Sequence, residues 1–454
     1  MIDFSIIQKS QLEGASRLDA EYYQPEYLFL LNNLGKNSLT NLGGITQRVT
    51  QGPNPTFTQD GKVCLNGRNV KSFRVNAENS NFVSEGEFKK LLGFGIKKGD
   101  ILITLKGLGS IGKTGYVFDD FEAIFSRDIG LIRTNENSEF LFAFLLSKYG
   151  VFQIERSTTG GTGQLTLTTN YIKQFKVPKV GKQQTLPISK LISDSETEYK
   201  YSLIFYQQAE NLLLEELGLK DFQVPEDLSY VVNYSDAERA DRIDADYFQP
   251  KYMQLLSRIN KHNLKHLEEL VSMKKGFEPG SEAYQDEGKL FIRVSSLSKN
   301  GIESKDQKYL SDELYQKLNS DFEPKVGEIL LTKDATPGIA YVLKEPVEGI
   351  ISGGILRLKP KVDIESEYLS LCINSLIGKM QAERDSGGSV IVHWKPEQIK
   401  KILIPVLPKS TQGKIADLVR KSHEARKKSK ELLEEAKRKV EELIEKGVKN
   451  DKYD

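Results

Sequence analysis

The sequence is poor in cysteine: Cys64 and Cys372 are the only two among its 454 residues. Two cysteines in unlike contexts do not suggest a disulfide framework, and such scarcity is typical of a reducing compartment. Long apolar runs are also lacking, since no stretch approaches the roughly 20 residues of a membrane-spanning helix. The N-terminus has no signal-peptide pattern. We therefore expect a soluble, cytoplasmic chain of two or more domains with no membrane partner.

An excess of charge of one sign is absent too. The 64 Lys and Arg residues are balanced by 63 Asp and Glu, which leaves a formal net charge of +1. Nucleic-acid-binding proteins usually carry a basic excess, so composition alone does not indicate one. A nucleic acid would bind only if basic side chains are sorted onto one face.

Recognisable catalytic groupings are likewise missing. The sequence has four histidines, and His262 and His266 lack the intervening glutamate of a metalloprotease signature. No Ser/His/Asp or Cys/His grouping is apparent. The Asn- or Asp-Pro-Pro-aromatic tetrapeptide of methyltransferases is absent, because 54–57 reads Asn-Pro-Thr-Phe. We expect no catalytic residues and no metal site on this chain.

One motif does match a nucleotide-binding pattern. Residues 107–114 read Gly-Leu-Gly-Ser-Ile-Gly-Lys-Thr, which satisfies the P-loop consensus. A P-loop must open a helix whose N-terminus binds phosphate, yet the following 115–118, Gly-Tyr-Val-Phe, predicts a strand. The corresponding 333–339 in the second half of the chain has no Gly-Lys-Thr. We interpret 107–114 as a glycine-rich turn, and an NTPase remains an unfavoured alternative.

What the sequence does have is a long internal repeat. The phrase Arg-Leu-Asp-Ala-Glu-Tyr-Tyr-Gln-Pro-Glu-Tyr at 17–27 returns at 242–252 as Arg-Ile-Asp-Ala-Asp-Tyr-Phe-Gln-Pro-Lys-Tyr. A glycine-acid turn before an apolar strand at 98–104 returns at 326–332. A repeat of this length indicates one half-molecule written twice. Such a pseudo-dimer suits a ligand with its own approximate two-fold symmetry, of which duplex DNA is the commonest example.

Each half combines a mixed globular part with a helix. Short apolar runs bounded by turn residues predict strands at 101–105, 116–118, 129–132, 329–331 and 350–358, and helices at 140–149 and 368–377. The predicted fold class is α+β, with two similar mixed α/β domains in a pseudo-two-fold arrangement, joined by two long antiparallel coiled-coil helices. The predicted boundaries are 1–182 for the first domain, 183–219 for its helix, 220–235 for a linker, 236–408 for the second domain and 409–450 for the C-terminal helix.

The two predicted helices share one register of apolar and small residues, which lets a partner helix approach closely. The alternative is that each helix packs only on its own domain. The predicted pairing residues are Ile188, Leu191, Ser195, Ser202, Phe205 and Ala209 in the first helix, and Ile415, Leu418, Ser422, Ser429, Leu432 and Ala436 in the second.

Loops rich in hydrogen-bond donors occupy equivalent places in the two halves. These are 158–164 and 386–389, and 66–69 and 293–296. Small residues let a loop enter a groove, where hydroxyl and amide groups can reach phosphates or base edges. Ordinary structural turns are the alternative for each loop.

Taken together, the doubled phrase, the Gly-Asp-Ile-Leu strand with its Gly-Ser-Ile-Gly-Lys turn, and the exits from an apolar-Pro segment into a helix resemble the specificity (S) subunit of Type I restriction–modification systems. The resemblance covers essentially the whole chain. It implies two target recognition domains that read the halves of a bipartite, asymmetric site on double-stranded DNA, for DNA methylation and phage defence. It also implies that the helices form a spacer that docks two modification (methyltransferase) subunits, and that this chain is not catalytic. S-adenosylmethionine is then expected on the modification subunits, and ATP and magnesium on the restriction/translocation subunits.

Geometry and chemistry give further expectations. A helix of about 30 residues is roughly 45 Å long, which spans about 13 base pairs, so the two domains should contact major grooves about one turn apart. Basic, amide and aromatic side chains in the loops are the candidate DNA contacts. They are Arg68, Lys106, Lys113, Arg127, Thr162 and Gln164 in the first half, and Lys275, Arg293, Lys333, His393 and Trp394 in the second. Trp394 could equally be a core residue.

Two alternatives remain open besides the NTPase. A specificity chain of another restriction or phage-defence system would share these features. A doubled scaffold that joins protein partners through its helices, without DNA, would share the repeat.

Overall fold

A computed structural model describes residues 5–10, 12, 17–71, 73–107, 109–135, 137–160, 165–224, 229–303, 307–388 and 392–447. The chain divides into two compact units. Unit 1 comprises Met1–Tyr199 with Lys427–Asp454, and unit 2 comprises Lys200–Arg426. Each unit therefore contains one mixed globular part and segments of both long helices.

The two long helices are α7 (Lys182–Glu216) and α15 (Lys409–Glu445). The strands of unit 1 are β1 (Leu39–Asn41), β2 (Arg48–Gln51), β3 (Phe57–Thr58), β4 (Lys62–Leu65), β5 (Asn81–Val83), β6 (Ile101–Thr104), β7 (Thr114–Tyr116), β8 (Ala123–Phe125), β9 (Ile129–Arg133) and β10 (Lys176–Pro178). Its shorter helices are α1 (Pro25–Gly35), α2 (Leu42–Ile45), α3 (Glu85–Lys90), α4 (Ser138–Leu146), α5 (Lys148–Ser157) and α6 (Thr169–Gln174).

Unit 2 repeats most of these elements in the same order. Its strands are β11 (Leu264–His266), β12 (Val271–Lys275), β13 (Lys289–Ile292), β14 (Leu297–Ser298), β15 (Gly301–Ile302), β16 (Lys308–Leu310), β17 (Ile329–Thr332), β18 (Ala340–Val342), β19 (Gly349–Ile351), β20 (Ile355–Pro360) and β21 (Leu403–Pro405). Its shorter helices are α8 (Tyr234–Ala240), α9 (Pro250–Ile259), α10 (Leu267–Leu270), α11 (Asp312–Phe322), α12 (Ser366–Asn374), α13 (Leu376–Asp385) and α14 (Pro396–Lys400).

The central sheets of the two units have the same topology. In unit 1 the strand order is β2-β9-β6-β7, and in unit 2 it is β12-β20-β17-β18, with all pairs antiparallel. A second sheet in each unit pairs β4 with β8, or β13 with β19, in parallel. The internal repeat is therefore a repeat of topology and not only of sequence.

The central strands are apolar on both faces because both faces are covered. Ile101 and Ile103 of β6 lie in the largest core of unit 1, whereas Leu102 lies in a second core on the opposite face. Successive side chains of a strand point to opposite faces. In unit 2, Ile329 and Leu330 divide in the same way between two cores. A strand buried on both faces reads as a continuous apolar run, as these do.

The repeated glycine-acid turn supplies a buried ion pair. Asp100, whose side chain is 2% exposed, accepts two hydrogen bonds of 2.7 Å from the Arg133 guanidinium, while the Lys97 amide donates to it at 2.7 Å. In unit 2, Glu328 and Arg357 form the equivalent pair, with Nε to Oε2 at 2.9 Å. The acid of each turn thus fixes the loop before the central strand.

The doubled phrase forms the same cluster in each unit. Arg17 is paired with Asp19 and lies over the ring of Tyr22, and Arg156 covers that ring with its guanidinium 3.7 Å from the centroid. In unit 2 the corresponding side chains of the phrase make the same ion pair and the same cation–π contact. The phrase has a structural role at the start of the globular part of each unit.

Two predicted segments are divided in the structure. The predicted strand 350–358 is two strands, because β19 pairs with β13 whereas β20 pairs with β17 in another sheet. The predicted helix 140–149 is interrupted at Ser147, whose extended backbone separates α4 from α5, and the predicted helix 368–377 is interrupted at Ser375 in the same way. No helix among the described residues is long and apolar enough to cross a membrane.

Candidate nucleic-acid interface and helix seam

One end of the central sheet in unit 1 gathers several loops, which we call loop edge 1. It comprises the described residues of 51–52, 66–69, 105–113, 126–128 and 159–166. The Gly52 amide donates to the Ile129 carbonyl at 3.1 Å, the Leu105 amide to Asp128 at 2.8 Å, and the Leu167 amide to Leu105 at 2.9 Å. These backbone hydrogen bonds hold loops from distant parts of the sequence side by side.

Unit 2 has an equivalent loop edge 2, formed by the described residues of 275–278, 293–296, 333–338, 352–354 and 386–394. The Gly276 amide donates to the Ile355 carbonyl at 3.0 Å, the Lys333 amide to Gly354 at 2.9 Å, and the Trp394 amide to Lys333 at 2.8 Å. The two edges therefore share one backbone frame.

A glycine permits the close packing at each edge. A Cβ atom on Gly52 would lie 2.3 Å from the Ser126 carbonyl oxygen, and one on Gly276 would lie 2.2 Å from that of Ser352. Only glycine tolerates such an approach without movement of the backbone. The equivalence of these two glycines supports the equivalence of the edges.

The structure brings the described basic candidates of the first half to loop edge 1. Arg68 is exposed on a short turn, where Asn66 accepts from its backbone amide at 2.9 Å. Lys106 and Lys113 are half-buried in the loop that joins β6 and β7, and Arg127 is exposed in the turn before β9. Exposed cations on a common edge can contact phosphates or base edges. The remaining candidates, Thr162 and Gln164, lie outside the described residues.

The Gly-Lys-Thr segment is a hairpin turn and not a helix start. Thr104 and Lys113 are joined by a 2.9 Å backbone hydrogen bond, and Thr114 begins β7, antiparallel to β6. A strand is present as predicted, but it spans Thr114–Tyr116 and so begins within the motif, two residues earlier than the predicted 116–118. No helix N-terminus follows Lys113 to bind a nucleotide phosphate.

The candidates of the second half are more strongly paired. Lys275 is exposed and forms a 3.2 Å ion pair with Glu278, and Arg293 is half-buried in the turn closed by its own amide and Ser296 Oγ at 3.1 Å. Lys333 is 9% exposed and donates to Asp334 Oδ2 at 2.6 Å. Loop edge 2 thus carries acids beside its cations.

Trp394 is placed in the core. Its side chain is 1% exposed and belongs to the largest core of unit 2. The candidate role of Trp394 as a DNA contact is not supported, because a ring buried in this way has no surface to offer to a base. The preceding residue, His393, is 59% exposed at the side chain.

Asp334 contacts two of the predicted residues, although it was not itself among the residues predicted from the sequence. Its Oδ1 lies 2.8 Å from His393 Nδ1, and its Oδ2 accepts from Lys333. Burial acts to raise the pKa of Asp334, but the hydrogen bonds from Lys333 and His393 outweigh it and the pKa is lowered. The carboxylate is therefore ionised at neutral pH. An acid does not fit a pattern of basic and amide contacts, but the repeat aligns 333–339 with the glycine-rich turn at 107–114.

The helix-pairing candidates of unit 1 lie on a seam between α7 and α15. Ser195 Oγ donates to the Ser429 carbonyl at 2.6 Å, and Ser429 Oγ donates to the Ser195 carbonyl at 2.7 Å. Both serines are buried. Ile188, which precedes Ser195 on α7, and Ala436, which follows Ser429 on α15, are buried in the same core of unit 1. Residues that precede the serine on one helix and follow it on the other meet when the two helices are antiparallel. The flanking candidates of this unit are half-buried, namely Leu191 and Leu432.

The seam of unit 2 has the same chemistry. Ser422 Oγ donates to the Ser202 carbonyl at 2.6 Å, and both serines are buried. Ala209 and Ile415 lie in the core of unit 2, with Leu418 packed against it. Small side chains let the two backbones come close enough for these hydrogen bonds.

Two apolar positions of α7, one before Ser195 and one after Ser202, lie one residue later than the sequence pattern indicated. Tyr206 is buried whereas Phe205 is half-buried, and Ile192 is buried whereas Leu191 is half-buried. Positions three and four residues apart both lie on one helix face. A 3,4 pattern alone therefore does not decide which of two adjacent apolar residues is central.

Two similar α+β units, each with a loop edge and a share of one helix seam, define a duplicated binding protein that presents two related sets of loops. The family model described as the Type I restriction modification DNA specificity domain matches residues 41–194 and 260–438. The chain belongs to this family. DNA-sequence recognition is the role of the family, and the two matched segments correspond to the repeat.

Comparison with solved structures gives weaker likenesses. The S subunit of a Type I restriction-modification system from M. genitalium is 14% identical, with 90% of this chain and 95% of that chain covered and a TM-score of 0.42. The HsdS subunit from Thermoanaerobacter tengcongensis is 14% identical, with coverage of 90% and 96% and a TM-score of 0.28. The type IIG restriction endonuclease BpuSI is 10% identical, with coverage of 41% and 30% and a TM-score of 0.29.

The family assignment rests on the sequence match and not on these superpositions. The search of curated proteins returned no match. Within the residues that the structure describes, no group of three or more His, Cys, Asp and Glu side chains could hold a metal ion.

Proposed function

We propose that this chain is the DNA-recognition subunit of a Type I restriction–modification complex and that it reads a bipartite, asymmetric site on double-stranded DNA. Loop edge 1 reads one half of the site and loop edge 2 reads the other. The observation that carries this proposal is the pair of equivalent loop edges with different side chains. Two loop edges with the same backbone frame can each bind one half-site, and because their side chains differ, the two half-sites are expected to differ in sequence.

In this proposal, some side chains of the loop edges contact phosphates and others contact bases. Exposed cations such as Arg68 and Arg127 are suited to phosphates, which position the protein without reading sequence. A side chain held by a neighbour, such as His393 beside Asp334, is suited to a base edge because its geometry is fixed before DNA binds. The net charge of +1 does not oppose this, since binding depends on the local charge of the edges.

The long helices serve the assembly of the complex. Tyr201, Leu203 and Ile204 of α7 are each about half exposed, at 48%, 47% and 48%. Exposed apolar residues so close together on a helix fit a protein partner. In the proposal, α7 and α15 dock two methyltransferase subunits, and restriction/translocation subunits join them in the cytoplasm. S-adenosylmethionine, ATP and magnesium are bound by those subunits, and this chain is not catalytic.

Binding experiments on the full chain co-expressed with a methyltransferase subunit test this function. The complex should select one bipartite sequence from a randomised duplex library, with an affinity that falls steeply as salt rises. A specificity chain of another restriction system would select DNA too, and would differ in the subunits that co-purify. A protein scaffold would select no sequence and show no salt-dependent DNA binding. Loss of an ATPase activity on Lys113→Ala would instead favour the NTPase alternative.

A further inference from the structure

One backbone bridge occurs at the same place in both loop edges. In unit 1, Lys106 faces Thr166 across an antiparallel bridge, and in unit 2, Asp334 faces His393 in the same way. A second bridge then joins Thr166 to Thr159, and His393 to Gly387. The two pairs therefore occupy equivalent positions, although their side chains differ completely in chemistry.

The core sets the direction of these side chains. Leu167 and Trp394, which follow the bridged residues, are each 1% exposed. Neighbouring side chains in extended backbone point to opposite sides. Since the following residue is anchored in the core, Thr166 and His393 must point away from it. Thr166 is half-buried, and the His393 side chain is 59% exposed.

Asp334 fixes the tautomer of His393. An ionised carboxylate can only accept hydrogen bonds, so His393 Nδ1, 2.8 Å from Asp334 Oδ1, must carry the proton. In a neutral imidazole the other nitrogen, Nε2, is then an acceptor. Lys333 holds the second carboxylate oxygen at 2.6 Å, which keeps Asp334 in place.

We propose that this bridged pair is a specificity-determining position of each unit, where His393 reads a base through Nε2 and Asp334 is its positioning residue. This inference rests on the proposed function. An acceptor at Nε2 recognises an exocyclic amino group, N6 of adenine or N4 of cytosine, in the major groove. In unit 1 the equivalent side chains are donors: Lys106 is a cation and Thr166 carries a hydroxyl. They match the O6 and N7 acceptors of guanine.

The substitution Asp334→Asn tests the positioning role. The Asn side chain keeps the shape of Asp but can donate from its amide nitrogen to His393 Nδ1. The ring proton then moves to Nε2, as the corresponding substitution in a catalytic triad is known to select the wrong tautomer. The preferred base should change by about tenfold from one with an amino group to one with a carbonyl acceptor. Asp363→Asn is the charge-matched control, because Asp363 is 88% exposed and paired with Lys409.

The assay is selection from duplexes randomised in one half-site at a time, with the full chain in complex with its methyltransferase subunit. The expected result is a change of preference at one position of one half-site for Asp334→Asn, and none for Asp363→Asn. His393→Ala should remove the preference at that position and leave the others.

Two results would overturn the inference while leaving the proposed function standing. One is an unchanged recognition sequence for both Asp334→Asn and His393→Ala. The other is a uniform loss of affinity for every sequence, which would make the pair merely structural. If the unaltered chain selects no sequence at all, the proposed function fails first, and the inference fails with it.

Discussion

The buried ion pair of unit 1 gives a sharp prediction for stability. In Arg133→Met the aliphatic volume of the side chain is largely kept, but the Asp100 carboxylate loses both of its 2.7 Å hydrogen bonds to the guanidinium. Removal of one partner from a buried pair costs about 3–5 kcal/mol, because the other charge is left uncompensated. Arg133 keeps a side-chain exposure of 19%, and the Lys97 amide still donates to Asp100. We therefore expect the lower end, about 3 kcal/mol.

Denaturant unfolding of the full chain measures this loss. The transition of unit 1 should shift to lower denaturant, while hydrogen exchange in the core strands of unit 2 stays unchanged. The double variant Asp100→Asn/Arg133→Met should recover part of the loss, because the uncompensated charge is removed. Arg239→Met is the control, since Arg239 is 78% exposed in its pair with Asp236 and should shift no transition. The reasoning is wrong if Arg133→Met and Arg239→Met unfold at the same denaturant concentration.

Three further predictions concern the helices. In Ser195→Leu, a large side chain replaces a buried hydroxyl on the seam, so calorimetry should show a lower melting temperature than for Ser193→Leu at an exposed position of the same helix. Burial, together with Lys344 and Arg426, lowers the pKa of His423 from 6.5 to about 4. The unfolded chain therefore binds more protons between these values, so stability should fall as pH drops from 6.5 to 4, and His423→Gln should flatten that slope in pH-dependent unfolding. Shortening α7 and α15 by one heptad each should change the number of unspecified bases between the half-sites and preserve both half-sites, and methylation mapping that finds the same gap would contradict the spacer role.

The sequence was sufficient to predict the duplication and its consequences. The repeated phrase, the glycine-acid turn and the shared helix register recur at matched intervals, and the two units have matched strand orders. The second half has no Gly-Lys-Thr at the corresponding 333–339, which argued against a nucleotide site at the match in the first half. A residue pattern that recurs in both halves indicates a structural element, because two copies of one fold need the same types of side chain at the same packed positions.

Other features depend on contacts that no local pattern encodes. The run 350–358 was predicted to be one strand, yet at Ser352-Gly353-Gly354 the chain passes from one sheet to another, and tertiary contacts decide with which strand each part pairs. Ser147 and Ser375 end helices because their hydroxyls bond to the preceding turn, at Phe144 and Cys372. Asp334 contacts His393 only because the fold brings the loop after β17 beside the loop after α13.

The central claim is that each unit reads its own half of the DNA site. The most direct measurement is methylation mapping in cells that express the methyltransferase with this chain after residues 1–182 have been exchanged for those of another family member. The account predicts that one half-site takes the sequence of the donor while the other half-site stays as it was. A change in both half-sites, or in neither, would contradict it.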